Sequence, residues 1–277
     1  MLQKGSIMDN EIRKIQLKCI EILDLVDDIC KKYDIKYSLC GGSVVGAHLY
    51  QKCLPWDDDV DIMMTRENYN KFLAVVQSEL PDGFSVHNYQ LSDDFSTLFT
   101  KIMNDNTTIV QQDGQISGVF LDITVYDKIP ANYKAKIDIL LWKISQVVSI
   151  GRVYDGNIKS RLRNLVLSLF FRDKRKYYRF FQKVVERNGN AKEYVYSELF
   201  GAYCNTKPYD KNIFENYSQI SFEGKKYMIV RDYVKYLETR YERTDFYEPE
   251  DKQVAPHYKY VDLEHPYRFY KLKKNNQ

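Results

Sequence analysis

The segment PWDDDVD at residues 55–61 places four carboxylates within five positions and leads directly into the apolar residues IMM. A strand over residues 59–64 would point Asp59 and Asp61 to one face and Val60 to the other. Two carboxylates this close repel each other unless a cation lies between them, and an all-oxygen ligand set favours Mg²⁺ or Mn²⁺. A solvated acidic loop is one alternative, which the flanking Pro-Trp and apolar residues disfavour. Helix capping by Asp57 or Asp58 is another, and it could hold for one of them together with a metal site. We therefore predict a metal site at this strand.

A glycine turn, GGS at residues 41–43, precedes the acidic segment and follows IKYSLC at 35–40, which predicts a short strand. We expect Ser43 to cap a helix over residues 44–50. A glycine turn between a strand and a helix lets backbone N–H groups approach a phosphate, which makes Gly42 and Ser43 candidate substrate contacts. Alone, such a turn is more often only a turn.

A further carboxylate, Asp122, lies inside the apolar strand pattern VFLDITVY. Burying an isolated acid is costly without a partner, although a strand can also show one polar residue to solvent. Together with Asp59 and Asp61 on a neighbouring strand, Asp122 would allow two metal ions, or one metal ion and a general base.

Two longer helices are predicted beside these motifs. Residues 9–33 carry apolar side chains every three or four positions behind a potential N-cap at Asp9, and Thr65 can cap a helix over residues 67–80. Residues 84–125 contain four short β-rich segments separated by turn residues.

The charge distribution changes after residue 130. Residues 132–187 hold 14 Lys and Arg against 4 Asp and Glu, whereas the rest of the chain holds 27 against 34. The basic segment has helical spacing, and a hairpin at 221–230 and a helix at 231–243 follow it. We predict an α+β protein with a catalytic core and N-terminal helix at 1–130, and a mostly helical, basic region at 131–277 that completes the substrate cleft.

Composition excludes several classes of protein. A charged fraction of 29%, with no apolar run near the roughly 20 residues of a membrane span, excludes a membrane-embedded chain. The N-terminus has no apolar signal-peptide region. No Cys-x-x-Cys pair occurs, and we expect packed, reduced thiols at Cys19, Cys30, Cys40, Cys53 and Cys204. A net charge of +3 implies no nucleic-acid partner. We expect a cytoplasmic protein that can touch the inner face of the plasma membrane.

The order of strand, Gly-Gly-Ser, helix, Asp-x-Asp and later strand Asp is similar to the nucleotidyltransferase fold. The string GGSVVGAHLYQKCLPWDDDVDIMMTRENYNKFL closely resembles the LicD/fukutin family, whose motif includes PWDDD, an apolar residue, Asp and then R-x-[DN]-Y. GVFLDITVYD resembles a later strand of that family, and TKIMNDNTTIV resembles its strand pair with an intervening lysine, which is Lys101 in this chain. The resemblance covers most of 35–265. It departs at residues 48–50, HLY, where members commonly have a basic residue.

This resemblance implies a nucleotidyltransferase-like mixed sheet with flanking helices. It also implies Mg²⁺-dependent transfer of phosphocholine or a phospho-alditol from a CDP-linked donor to a hydroxyl of a cell-surface glycan or lipid-linked precursor, with release of CMP. Asp59 and Asp61 would then be metal ligands, with Mn²⁺ as the alternative ion, and Asp122 a ligand or the base near the acceptor hydroxyl.

The substrate-binding candidates are Gly42, Ser43, Trp56, Asp58, Lys101 and His257. Lys101 would offset phosphate charge, unless it is a solvated strand lysine. Trp56 would stack on cytosine or pack the loop. Asp58 would cap a helix or join the metal shell, whereas a lone tail histidine such as His257 is usually incidental.

Other functions share parts of this pattern. Asp-x-Asp also holds metal and diphosphate in nucleotide-sugar glycosyltransferases, although only 58 residues precede Asp59, which is short for their nucleotide-binding unit. A nucleotidyltransferase that moves NMP, or a nucleotide-binding relative without activity, are further alternatives.

The basic segment at 161–187 mixes cations with apolar and aromatic residues. An in-plane helix that contacts an anionic membrane, a groove for an anionic polymer, and an ordinary helix pair with a solvated Lys/Arg face all fit this pattern.

Overall fold

A computed structural model describes residues 2–92, 98–112, 114–132, 134–150, 157–200, 207–246 and 257–275. The chain divides into two compact units, one of residues 1–86, 100–124 and 212–277, the other of residues 87–99 and 125–211. The functional division at residue 130 stays a prediction. The combination of helices with a mixed sheet confirms the expected α+β class.

Helices and strands alternate along much of the chain. The helices are α1 (Leu2–Lys32), α2 (Gly41–Tyr50), α3 (Arg66–Glu79), α4 (Lys134–Ile150), α5 (Ile158–Phe170), α6 (Lys174–Asn188), α7 (Tyr233–Tyr241) and α8 (Tyr267–Asn275). The strands are β1 (Ser38–Leu39), β2 (Asp61–Thr65), β3 (Phe84–His87), β4 (Thr100–Gln111), β5 (Ile116–Pro130), β6 (Tyr194–Phe200), β7 (Tyr217–Phe222), β8 (Lys225–Val230) and β9 (Tyr258–Asp262).

The sheet of the first unit has the strand order β1-β2-β5-β4-β3, and β9 also pairs with β4. Pairing is antiparallel between β1 and β2, between β4 and β5, and between β4 and β9. The register of β4 on β5 shifts between Asn104 and Ile109. Gly118 lies opposite this shift, where a Cβ atom would approach the Asn104 carbonyl oxygen to 2.0 Å, so a side chain has no room there.

Helix α1 packs its apolar stripe against β4 and α3. The residues expected on this face are all buried, namely Ile12, Ile15, Cys19, Leu23, Val26 and Cys30. Burying each of the larger side chains stabilises the fold by about 1.5–3 kcal/mol. The N-cap expected at Asp9 is wrong, because α1 begins at Leu2 and Asp9 lies inside it.

Some predicted boundaries need correction. Helix α2 begins at Gly41, so Ser43 lies within its first turn and is not its cap. The segments expected as four strands over 84–125 form three, because two of them join across the register shift into β4. The tail contributes β9, a strand without a counterpart in the sequence-based predictions. The hairpin of β7 and β8 is confirmed, with Glu223 and Gly224 at positive φ in its turn.

The second unit contains α4, α5 and α6, and β6 paired with the end of β5. Helices α4 and α6 pack together, and Phe181 of α6 stacks on Phe200 with ring centroids 4.9 Å apart. Across the described part of the chain, no helix has the length and apolar character needed to cross a membrane.

Four of the cysteines are free and buried, as expected: Cys19, Cys30, Cys40 and Cys53. Cys204 lies outside the described residues.

Candidate active site

The acidic loop that enters β2 is held in place from two sides. The buried Gln16 of α1 donates both amide hydrogens, to the carbonyl oxygens of Leu54 at 2.9 Å and Asp57 at 2.7 Å. Glu223, in the turn between β7 and β8, accepts a hydrogen bond from the Cys53 N–H at 2.8 Å and a bidentate pair from Arg13 at 2.6 and 2.8 Å. These contacts fix the loop by its backbone, which leaves its carboxylates available for chemistry.

Strand β2 begins at Asp61, two residues later than predicted, so Asp59 lies in the loop just before the strand. Val60 between them is fully buried. The Asp122 N–H of β5 donates to the Val60 carbonyl oxygen at 3.4 Å. This contact brings the predicted third carboxylate beside Asp59 and Asp61, because β5 is the neighbour of β2 in the sheet.

Four carboxylates form one electrostatic group, which we call the acidic cluster: Asp57, Asp59, Asp61 and Asp122. Burial, before any other cause, raises the pKa of each of these carboxyls above its ordinary value. At Asp61 the charges of Asp59, Asp122 and Asp57 raise the pKa further. A hydrogen bond joins the side chains of Asp57 and Asp59. Crowded acids of this kind are stabilised by protons or by a bound cation, so the donor set fits a hard divalent ion.

Asp58 points away from solvent and accepts two hydrogen bonds from one residue of the tail. Its Oδ2 lies 2.9 Å from the His257 N–H, and its Oδ1 lies 2.6 Å from the His257 Nδ1. The Asp58 contact raises the pKa of His257 to about 9, so the imidazole is a cation at neutral pH. The histidine that appeared incidental in the sequence is therefore fixed at the acidic loop.

Asp58, Asp59 and His257 form a group that could hold a metal ion, since one ligand atom from each lies within 4.8 Å of the others. A hard ion prefers oxygen ligands, and a protonated imidazole binds no metal. The carboxylates of this region are therefore the better ligands for Mg²⁺, with His257 as the partner that orients Asp58.

Lys101 and Asp122 face each other in the register of β4 and β5. The Lys101 Nζ donates to Asp122 Oδ1 at 2.9 Å and lies 3.1 Å from the centroid of the Phe120 ring. Lys101 is 4% exposed and Asp122 is 8% exposed. This burial overturns two alternatives, the solvated strand lysine and the strand acid turned to solvent. Lys101 lowers the pKa of Asp122 but does not cancel the increase due to burial.

The glycine turn borders the acidic cluster directly. Gly41 has a φ of +53°, in the left-handed region that favours glycine. A Cβ atom on Gly42 would lie 2.4 Å from the Asp57 Oδ2, so a side chain there would displace that carboxylate. The Ser43 Oγ accepts a hydrogen bond from the Asp61 N–H at 3.0 Å. Ser43 thus joins α2 to β2 and holds the turn against the start of the acidic strand.

Helix α7 adds two residues that sequence reasoning did not single out. The buried Tyr236 accepts a hydrogen bond from the Gly41 N–H through its hydroxyl at 3.1 Å. A Cβ atom on Gly41 would lie 3.6 Å from the Arg240 Nη2 and 3.7 Å from the Asp61 Oδ2. Arg240 and Asp61 therefore both border Gly41. The charge of Arg240 lowers the pKa of the Asp61 carboxyl, which opposes the increase due to burial. The resemblance covered this helix, but no spacing rule links it to a turn far earlier in the chain.

Asp57, a helix-cap candidate in the sequence and not a predicted ligand, is a further member of the acidic cluster. Trp56, directly before it, is half-buried, so its stacking on a base and its packing in the loop both stay predictions. The structure thus gathers Gly42, Ser43, Lys101 and His257 around or beside the acidic loop.

The mixed sheet, the glycine turn, the adjacent acidic strand and the third aspartate on the next strand agree with the nucleotidyltransferase-type core that the sequence resembles. Residues 34–143 match the family model described as LicD/FKTN/FKRP, nucleotidyltransferase domain. The lipopolysaccharide cholinephosphotransferase LicD of Haemophilus influenzae is 28% identical over 261 residues, which cover 89% of this chain and 96% of that protein. The chain is thus similar to LicD-type proteins, through its nucleotidyltransferase-like part and over most of its length.

Proposed function

We propose that this protein transfers phosphocholine, or a related phospho-alditol, from a CDP-linked donor to a hydroxyl of a cell-surface glycan or lipid-linked precursor and releases CMP. The acidic cluster beside the glycine turn is the observation that carries the proposal. Among relatives, the match to a protein named as a cholinephosphotransferase supports the proposal.

Asp59 and Asp61 would hold Mg²⁺, or Mn²⁺, with Asp122 as a further ligand or as the base. The bound ion would supply charge neutralisation at the donor diphosphate. The raised pKa values of these carboxyls support this assignment, because the crowding of negative charge makes a cation favourable there.

In the transfer itself the acceptor oxygen forms a bond to the phosphorus of the phosphocholine group, and the bond from that phosphorus to the CMP oxygen breaks. Asp122 would take the proton of the acceptor hydroxyl. Its burial raises the pKa of the carboxyl and so favours the protonated product, while Lys101 at 2.9 Å favours the ionised carboxylate before the transfer. CMP then leaves with the electron pair of the broken bond.

The donor phosphates would be bound from the glycine turn and from cations around it. Gly42 offers a close backbone approach, and the Ser43 hydroxyl can donate its hydrogen while it accepts from Asp61. Arg240, at the edge of Gly41, and the protonated His257 are cations that suit a diphosphate. Trp56 would stack on the cytosine.

The experiment is a donor screen with purified protein and Mg²⁺. CDP-choline, CDP-ribitol, CDP-glycerol, UDP-sugars and NTPs are compared by thermal shift and by nucleotide release. We expect a CDP-linked compound to stabilise the protein and to release CMP when an acceptor glycan is present. Stabilisation by UDP-sugars alone would instead support a glycosyltransferase, and release of pyrophosphate from an NTP would support transfer of NMP.

The acceptor class leads to a proposal about location. A lipid-linked precursor lies at a membrane surface, so we propose a cytoplasmic enzyme that meets it at the inner face of the plasma membrane through the basic segment 161–187.

A further inference from the structure

Helix α5 carries its apolar stripe on the outside of the second unit. Ile158, Leu162, Leu165 and Leu169 recur at i, i+4, i+7 and i+11, which places them on one face of the helix. Their exposed fractions are 80%, 64%, 54% and 64%. The neighbouring Val166 and Phe170 widen this surface and are 41% and 74% exposed. These six residues are called the outer face of α5.

The buried residue of α5 is Leu167, which lies on the side of the helix opposite the stripe. Helix α6 in the same unit shows the ordinary arrangement, because its apolar residues Tyr178, Phe181 and Val185 are buried. Two adjacent amphipathic helices therefore orient their apolar faces in opposite ways. A contiguous apolar face on the surface marks an interaction site more often than chance exposure.

Cations flank the outer face on both sides. Lys159 and Arg161 of α5 are exposed, as are Arg172, Lys176 and Arg179 just beyond it. Residues 158–180 contain eight Lys and Arg and a single acid, Asp173. An apolar stripe bordered by long cationic side chains suits the boundary between lipid headgroups and acyl chains, where the cations reach anionic phosphates.

We propose that α5 docks this protein on an anionic lipid bilayer, with its outer face immersed and Lys159 and Arg161 at the headgroups. Docking of two copies through the same face is disfavoured, because it would bring two strongly cationic segments together without counter-charge. The inference rests on the membrane location proposed above and narrows it to α5, and it uses none of the residues of the acidic cluster.

Co-sedimentation with vesicles tests the docking in the absence of any donor or acceptor. The full-length protein is mixed at low salt with vesicles of phosphatidylglycerol and phosphatidylcholine, or of phosphatidylcholine alone. We expect binding to the anionic vesicles, at least tenfold weaker binding to the neutral ones, and a steep loss of binding with added salt.

Two pairs of substitutions separate the apolar and the electrostatic contributions. Leu162→Asn with Leu169→Asn should weaken binding at least tenfold, and Lys159→Gln with Arg161→Gln should weaken it by about tenfold or more. The matched controls are Leu17→Asn, at another exposed leucine, and Lys14→Gln with Lys71→Gln, at lysines of the first unit. These controls should bind like the unsubstituted protein, and circular dichroism melting checks that every variant folds.

Three results would overturn the proposal: no binding to anionic vesicles, equal binding by the α5 variants and the controls, or a dimer in sedimentation velocity that the leucine pair abolishes. The last result would assign the outer face to a second copy of the chain. None of them bears on CMP release in solution, so failure of the docking and failure of the proposed function are distinguishable.

Discussion

Lys101 and Asp122 form a buried ion pair between β4 and β5, with the Nζ 2.9 Å from Oδ1. Replacing Lys101 by Met would leave the Asp122 carboxylate buried without its cation, which costs about 3–5 kcal/mol when a partner is removed. We expect this loss in urea unfolding near pH 8 and a smaller loss near pH 5, because Asp122 can then take up a proton.

Removing both charges should be milder than removing one. The double variant Lys101→Met with Asp122→Asn is expected to recover most of the unfolding free energy while remaining inactive. Equal losses at both pH values, or a double variant that is no more stable than Lys101→Met, would contradict the ion pair as the reason.

The acidic cluster predicts how stability depends on pH and on divalent ions. Its carboxyls have pKa values raised in the folded state, so the folded protein binds more protons and its unfolding free energy falls as pH rises above the ordinary aspartate pKa. His257 acts in the same direction, since the stability from its raised pKa is lost as pH rises through about 9. Added Mg²⁺ or Mn²⁺ should restore stability at high pH.

Replacing one acid of the acidic cluster by its amide should also relieve the repulsion and stabilise the protein when no metal ion is bound. Asp61→Asn should raise the unfolding free energy of the metal-free protein near pH 8 by on the order of 1–2 kcal/mol and abolish stabilisation by Mg²⁺. Asp28→Asn, at an exposed acid of α1, is the matched control and should change neither quantity. Destabilisation by Asp61→Asn in the absence of metal would show that the carboxylates do not repel one another.

The local motifs of this site could be predicted because each lies within a few residues. PWDDDVD and Gly41-Gly42-Ser43 carry their chemistry in adjacent positions, and the isolated Asp122 stands out against its apolar strand. The start of α2 at Gly41 was not predictable from capping preference, because its N-cap residue is Cys40, whose side chain caps no backbone N–H of the helix. At that end the Cys40 N–H donates to the Asp61 carbonyl oxygen at 2.9 Å, and the Gly41 N–H donates to the Tyr236 hydroxyl at 3.1 Å.

His257 offers a prediction that nuclear magnetic resonance can check residue by residue. Its imidazole should titrate with a pKa of about 9 in the intact protein, and Asp58→Asn should return this pKa toward 6.5. Mg²⁺ should leave the imidazole protonated, because that ion prefers oxygen ligands. A titration near 6.5 in the unsubstituted protein, or deprotonation on addition of Mg²⁺, would contradict the assigned role.

Gly42 tests the contact between the glycine turn and the acidic loop. Gly42→Ala places a Cβ atom where the Asp57 Oδ2 now lies, so we expect at least a tenfold loss of CMP release. The variant Asp57→Ala removes the clashing carboxylate, and adding Gly42→Ala to it should cost little further stability in thermal unfolding. If Gly42→Ala lowers stability in thermal unfolding equally in the unsubstituted protein and in the Asp57→Ala variant, steric contact with Asp57 is not the cause.

Long-range partners are what the sequence did not reveal. Gln16 holds the acidic loop from α1, Arg240 borders Gly41 from α7, and His257 pairs with Asp58 from the tail. Each pairing depends on how distant elements pack, and none of these residues lies in a local pattern that specifies its partner. Lys101 was a candidate from the family resemblance of its strand, but its burial became clear only from its position opposite Asp122.

Isothermal titration calorimetry with Mn²⁺ in the presence of CDP-choline measures whether the acidic cluster binds a divalent ion. We expect saturable binding of Mn²⁺ by the unsubstituted protein and by the Asp28→Asn control, and loss of that binding in Asp59→Asn and Asp61→Asn. Absence of Mn²⁺ binding in the unsubstituted protein, or unchanged binding in both cluster variants, would contradict this expectation.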